Sequence, residues 1–135
     1  MRRFLNVSVA LMALTGVAFA VMKYWIKSDD PFAVVNHPWQ PHALSAHVLF
    51  GPLAVFAFGW TFANHILPAL TKGAPNRASG IWTIVLIVLM VASGYLMQIT
   101  TGDAIRKAFA VAHWISSGLF VAGYAAHLLP RRPST

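Results

Sequence analysis

Four stretches of the chain are almost wholly apolar: residues 4–25, 43–67, 81–99 and 108–129. Polar segments rich in proline, glycine and charge separate them. Each stretch is close to the roughly 20 residues that carry a helix across a bilayer core. None alternates polar and apolar positions as a barrel strand does. The pattern predicts an all-α integral membrane four-helix bundle running up-down-up-down. Its helices span about residues 4–26, 43–67, 79–100 and 105–129 of a single transmembrane domain, 1–135.

The first stretch has a second reading. Arg2 and Arg3, an apolar run and Ala18-Phe19-Ala20 resemble a signal peptide with a small-residue cleavage site. The run continues, however, through Val21, Met22, Tyr24, Trp25 and Ile26. Lys23 interrupts it only where a long side chain can snorkel to the interface. An uncleaved first helix is expected.

Composition supports the membrane. Of 135 residues, 58% are hydrophobic and 10% charged, and the mean hydropathy is +0.64. A soluble domain carries about 25% charged residues. With the N-terminus inside, Arg2, Arg3, Lys72, Arg77, Arg131 and Arg132 lie on the cytoplasmic side. Lys23, Lys27, Arg106, Lys107 and all three acids, Asp29, Asp30 and Asp103, lie on the other. The Lys and Arg bias favours N-in and C-in; the expected setting is a bacterial inner membrane. The net charge of +7 is thus a matter of topology, with no nucleic-acid footprint. The absence of cysteine excludes disulfides, iron–sulfur ligation and covalent c-type haem.

Histidine is where the chemistry begins. The second stretch starts with Ala-His and ends His-Ile-Leu-Pro; the fourth starts with Ala-His and ends His-Leu-Leu-Pro. The preceding helices rhyme as well, Leu14-Thr15-Gly16 with Ala92-Ser93-Gly94. This predicts two helix-pair repeats, residues 1–68 and 78–130, with the same sense across the membrane. His47 and His113 then lie near the outer surface, and His65 and His127 near the inner one. His47 and His65 are 18 residues apart, which is five whole turns and about 27 Å. His113 and His127 are 14 apart, about 21 Å and only about 40° out of register. Each helix is therefore expected to carry both histidines on one face, and two such faces can meet in a bundle core.

A single histidine in a spanning helix also serves as an interhelical hydrogen-bonding group. Four in a repeated arrangement point to a site, because ionisable groups inside membranes are functional by default. Zinc needs four ligands, or three and water; here there are two per level, and no Asp, Glu or Cys lies in any span to complete a shell. A cofactor that brings four equatorial nitrogens and takes two axial imidazoles fits, namely haem b. Two are expected, held by His47 with His113 and by His65 with His127. Gly51, Gly59, Gly118 and Gly123 would let the porphyrin face pass the backbone, although glycine is common at spanning-helix contacts anyway. Phe50, Phe56, Phe58, Phe62 and Phe120 could pack ring edges or face lipid. Trp25, Trp39, Trp60, Trp82 and Trp114 suit an interfacial belt.

Four helices with His47, His65, His113 and His127 on the second and fourth resemble the small dihaem membrane cytochromes b. The resemblance covers essentially the whole chain and rests on arrangement more than on letters. It implies a bundle that carries electrons between quinone or quinol and a partner redox protein. One departure is the longer spacing on the second helix. At the offset that aligns the inner histidines, His113 falls opposite Gly51, one turn from His47, and a kink at Pro52 is expected to absorb the difference.

The segment before the second helix adds a candidate site. Asn36, His37, Trp39, Gln40 and His42 sit among Pro31, Pro38 and Pro41. His37, Trp39, Gln40 and His42 could hold a quinone through imidazole and amide hydrogen bonds and a packed indole, or form an interfacial loop with an aromatic anchor. His42, expected in the loop, is a second candidate for the outer axial ligand. Lys72, Arg77, Arg106 and Lys107 could meet haem propionates or simply anchor helix ends. The expected role is an electron-transfer subunit of an oxidoreductase complex, docked on a catalytic or multihaem partner. The alternative is a small transporter or channel subunit relaying protons or metal through its histidines, against which stands the absence of carboxylates from the spans.

Overall fold

The computed structural model describes residues 2–73 and 77–128. It is 84% helical and has no strand among the described residues. Helix α1 is Arg2–Tyr24. Helix α2, Gln40–Thr61, passes into a π-helical turn, Phe62–Ile66, and then into the short helix α3, Leu67–Thr71. Helix α4 is Arg77–Ile99 and helix α5 is Asp103–Leu128. With α2, the π turn and α3 taken as one continuous element, Gln40–Thr71, four helices are long and apolar enough to cross a membrane. Arg131, Arg132 and Pro130 of the second His-Leu-Leu-Pro ending lie outside the described residues.

The chain forms two compact units, Met1–Thr71 and Lys72–Thr135. Each is a helix pair, α1 against α2 in the first and α4 against α5 in the second. Among the described residues these pairs bury little: Ile66, Ile87 and Phe120, and otherwise only alanine and serine. Ala20 and Ala57 in the first pair are nearly inaccessible, as are Ser8, Ser93 and Ser116. Large apolar side chains such as Leu14, Val17, Val88 and Leu119 stand exposed instead. Water would penalise that distribution, whereas in lipid small residues let helices approach and apolar surface outside costs nothing. Two of the buried serines are also satisfied locally, as in lipid they must be: the Ser93 hydroxyl donates to the Leu89 carbonyl (2.6 Å) and the Ser116 hydroxyl to that of Ala112 (2.8 Å).

Three local features bear on the sequence expectation. First, α2 begins at Gln40, with Trp39 at the N-cap position and Pro41 in the first turn, where its missing N–H is harmless. His42 therefore lies on the helix and not in the loop. Second, α2 runs through Pro52 without interruption; proline leaves the Val48 carbonyl without its helical donor. Third, within the π turn the Leu67 N–H reaches back five residues to the Phe62 carbonyl. A π turn takes in one residue more than an α turn. The whole-turn count that put His65 on the face of His47 assumes an unbroken α-helix, and it fails at this turn. The element ends after Thr71, where Gly73 takes up a left-handed conformation (φ 67°) that glycine adopts without strain.

Candidate imidazole sites

His47 is half-buried against α1. Its Nδ1 lies 3.1 Å from the Met12 carbonyl oxygen and 3.2 Å from the Thr15 hydroxyl. A carbonyl oxygen can only accept, so Nδ1 must carry the proton. The hydroxyl agrees, because its own hydrogen goes to the Leu11 carbonyl at 2.7 Å and leaves a lone pair towards the ring. When its ring is neutral, His47 is thus the Nδ1–H tautomer, and Nε2 holds the basic lone pair.

The second pair repeats this arrangement. His113 Nδ1 lies 2.9 Å from the Met90 carbonyl oxygen and 3.4 Å from the Ser93 hydroxyl. The Ser93 hydrogen is likewise committed to the Leu89 carbonyl. Both seats have the same spelling on the preceding helix, Met-x-x-Thr-Gly at 12–16 and Met-x-x-Ser-Gly at 90–94. Both glycines lie under the ring. A Cβ added at Gly16 would stand 2.9 Å from His47 Cε1, and one at Gly94 would stand 3.2 Å from His113 Cε1. The first distance is one that real Cβ atoms do not show, and the second is tight. In each case the Cε1–Nδ1 edge faces the glycine, with Nε2 of His47 farther away at 3.8 Å.

This equivalence corrects the register of the repeat. The seats match His47 with His113. Fourteen residues on from His113 is His127, but fourteen on from His47 is Thr61, one turn short of His65. The expected alignment of the inner histidines, with His113 opposite Gly51, is therefore not the alignment of the two units. The surroundings of the inner histidines differ accordingly. His65 is exposed within the π turn, and His127 is exposed in the last turn of α5.

Gly51, Gly59, Gly118 and Gly123 have nothing within 4 Å of the place where a side chain would begin. Phe120, one of the candidate ring-packing residues, is buried in its own unit and stacks on Tyr124 at 5.7 Å. Phe56 meets Phe4 edge-on at 6.4 Å. Among the described residues no three His, Asp or Glu side chains gather closely enough to hold a bare metal ion.

The segment between α1 and α2 is ordered by its own polar groups. The Asn36 side-chain amide donates to the Lys23 carbonyl (2.8 Å), while its backbone N–H donates to Gln40 Oε1 (3.1 Å). The Trp39 N–H donates to His37 Nδ1 (3.2 Å). His37 is therefore the opposite tautomer to His47, with its proton on Nε2. The exposed Trp39 ring lies tilted against His42, centroids 5.5 Å apart. This brings together all four residues singled out there, two of them with hydrogen-bond donors in hand: His37 Nε2–H and the Gln40 amide.

The roles of Met12, Thr15, Gly16, Met90, Ser93 and Gly94 were not apparent from residue types. Their signal was present in the rhyme of Thr15-Gly16 with Ser93-Gly94, which marked the repeat but not its purpose. The chain matches no protein family, no curated protein and no solved structure.

Proposed function

We propose that the chain is a dihaem b membrane cytochrome that passes electrons between quinone or quinol and a partner redox protein. The observation that carries this is the pair of equivalent histidine seats. His47 and His113 are both fixed as Nδ1–H tautomers, which keeps Nε2 basic, and imidazole bound through one nitrogen with the other hydrogen-bonded to a carbonyl is how proteins orient histidine towards a metal. A lone histidine needed only to join two helices would not require the glycine beneath it twice.

His47 and His113 would hold one haem, and His65 and His127 the other. Two imidazoles suffice where the porphyrin supplies the remaining nitrogens. Gly51, Gly59, Gly118 and Gly123 are proposed to border the porphyrins, since no side chain fills the space beside them. Haem b, when bound, supplies a one-electron couple whose potential is set by its axial ligands and their hydrogen bonds. The chain's part is to hold two ring orientations, keep each Nδ1 proton in place and exclude water.

His37, Trp39, Gln40 and His42 are proposed as the quinone contact, with His37 Nε2–H and the Gln40 amide donating to a carbonyl and the Trp39 ring packing on the quinone face. The proposed setting is a bacterial inner membrane with both termini inside, favoured by the basic residues at 2, 3, 72 and 77. A catalytic or multihaem partner subunit would take or supply the electrons.

The test is haem content. Full-length protein expressed with adequate haem and assayed as the pyridine haemochrome should approach two haem b per polypeptide. A reproducible value of zero would sink the proposal and leave the relay alternative; a value of one would remove one ligand pair.

A further inference from the structure

We propose that Thr15 with Gly16, and Ser93 with Gly94, are positioning residues whose task is to lock His47 and His113 in the Nδ1–H tautomer with Nε2 as the ligating atom. The inference rests on the haem reading only for the word ligating. The lock itself is a property of the polypeptide.

In water neutral histidine prefers its proton on Nε2. Reversing that preference takes acceptors at Nδ1 and a ring held against them. The Met12 and Met90 carbonyls accept at 3.1 and 2.9 Å. Each lies in a helix whose backbone groups are otherwise paired along the axis, so it offers a second lone pair and cannot move away. The hydroxyls of Thr15 and Ser93 add a second acceptor, at 3.2 and 3.4 Å. They accept from the ring because each donates within its own helix, to the carbonyl four residues back at 2.7 and 2.6 Å, with the Met12 and Met90 carbonyls also in reach at 3.2 and 3.1 Å. An Nε2–H tautomer would set the bare Nδ1 lone pair against a carbonyl oxygen and a hydroxyl lone pair together. Leaving such groups unpaired away from water carries the penalty of an unmade hydrogen bond.

The glycines set the depth. Without a side chain at 16 or 94, the Cε1–Nδ1 edge of the ring can rest on the backbone of the neighbouring helix and reach a carbonyl one turn away. Any larger residue pushes the ring outward, because its Cβ would stand only 2.9 Å from Cε1 at Gly16 and 3.2 Å at Gly94. The hydroxyl residue must be Ser or Thr, because it needs one donor for its own helix and one acceptor for the ring. That explains why Thr15 and Ser93 differ in their methyl group and agree in their oxygen.

The experiment reads the lock without haem. Full-length protein labelled with 15N-histidine, purified haem-free in detergent micelles, is examined by long-range 1H–15N correlation, with rings assigned from single His→Gln variants. At a pH where the rings are neutral, His47 and His113 should show a protonated Nδ1 and an unprotonated Nε2, and His37 the reverse. Thr15→Val removes the acceptor while keeping the shape. It should shift the His47 tautomer ratio roughly fivefold towards Nε2–H and leave His113 unchanged; Ser93→Ala should do the converse. Thr15→Ser, which restores the oxygen, should keep the original ratio. The proposal is overturned if either ring is Nε2–H in the unaltered protein, or if Thr15→Val and Ser93→Ala both leave their ratios where they were. Circular dichroism of each variant separates loss of the lock from loss of the helices. Because no haem is involved, a chain that shows the lock but never binds haem refutes only the cytochrome reading.

Discussion

The two helix pairs agree where they hold an imidazole and disagree almost everywhere else. In Met1–Thr71 the second helix carries Pro52, a π turn and a short extra helix, and reaches 32 residues over Gln40–Thr71. In the second unit α5 is a plain α-helix of 26 residues. At 1.5 Å per residue the first is about 48 Å long, well beyond the roughly 30 Å of a hydrocarbon core. Yet His47 and His113 meet the same carbonyl, the same kind of hydroxyl and the same glycine. The difference teaches which end of the repeat is constrained. Geometry is kept to a few tenths of an ångström at the seats, and helix length and register are free to drift beyond them. His65 and His127 stand in the part that drifted.

The largest effect should come from removing a seated ring. His47→Ala and His113→Ala should each abolish one low-spin haem signal in electron paramagnetic resonance, leaving about one haem per chain by haemochrome. They should remove the same signal. Two different signals lost would show that the pairing of equivalents is wrong.

Next comes the register of the first pair. Inserting one alanine between Trp60 and Thr61, in the α-helical part of α2, should rotate His65 by about 100° relative to His47. The haem assigned to His65 and His127 should be lost or changed in spin state, while the signal that depends on His47 persists. If both signals persist unchanged, the angle at which α2 presents His65 does not decide the second haem.

The seats themselves give a graded pair. Gly16→Ala should weaken haem binding on the order of tenfold or more, as loss of an orienting partner does, and Gly94→Ala should cost less, because its Cβ meets the ring at 3.2 Å and not 2.9 Å. Alanine strengthens a helix by about 1 kcal/mol over glycine, so thermal melts should show no loss of helix in either variant. Equal effects would mean that contact distance is not what sets ring position.

How much of this was legible beforehand follows from how each property is encoded. Four spanning helices are written in composition and length, which lipid enforces residue by residue, so they could be read directly. His47 and His113 were legible as a pair because the repeat places Ala before each. Their partners were not. Backbone carbonyls of Met12 and Met90 carry no sequence signature, and Thr15-Gly16 could mark a repeat without revealing that a ring rests on it. The π turn was illegible for a related reason: Phe62-Ala63-Asn64-His65-Ile66 has ordinary helix formers, and the extra residue is accommodated by backbone bonding alone. The start of α2 was misjudged because Pro38 and Pro41 read as loop signals, when proline in a first turn is compatible with a helix.

The smallest effect sharpens the comparison most closely, because it concerns a residue the second pair lacks. His42 precedes His47 by five residues, while the equivalent place before His113 is Ala108. With α2 starting at Gln40, both histidines lie on one helix, and five residues turn His42 about 140° away from His47. A ring on that side has no access to the Met12 carbonyl or to Gly16, and it rests instead against Trp39 at 5.5 Å. That contact is exposed, and an aromatic pair contributes about 0.5–1.5 kcal/mol at most. His42→Ala should therefore leave both low-spin signals and the haem content intact, shift the melting temperature by no more than a few degrees, and alter only the rate of reduction by a quinol. Loss of the His47-dependent signal in His42→Ala would mean that the ring seated on Gly16 is not the ligand, and that the agreement between the two pairs is a packing device alone.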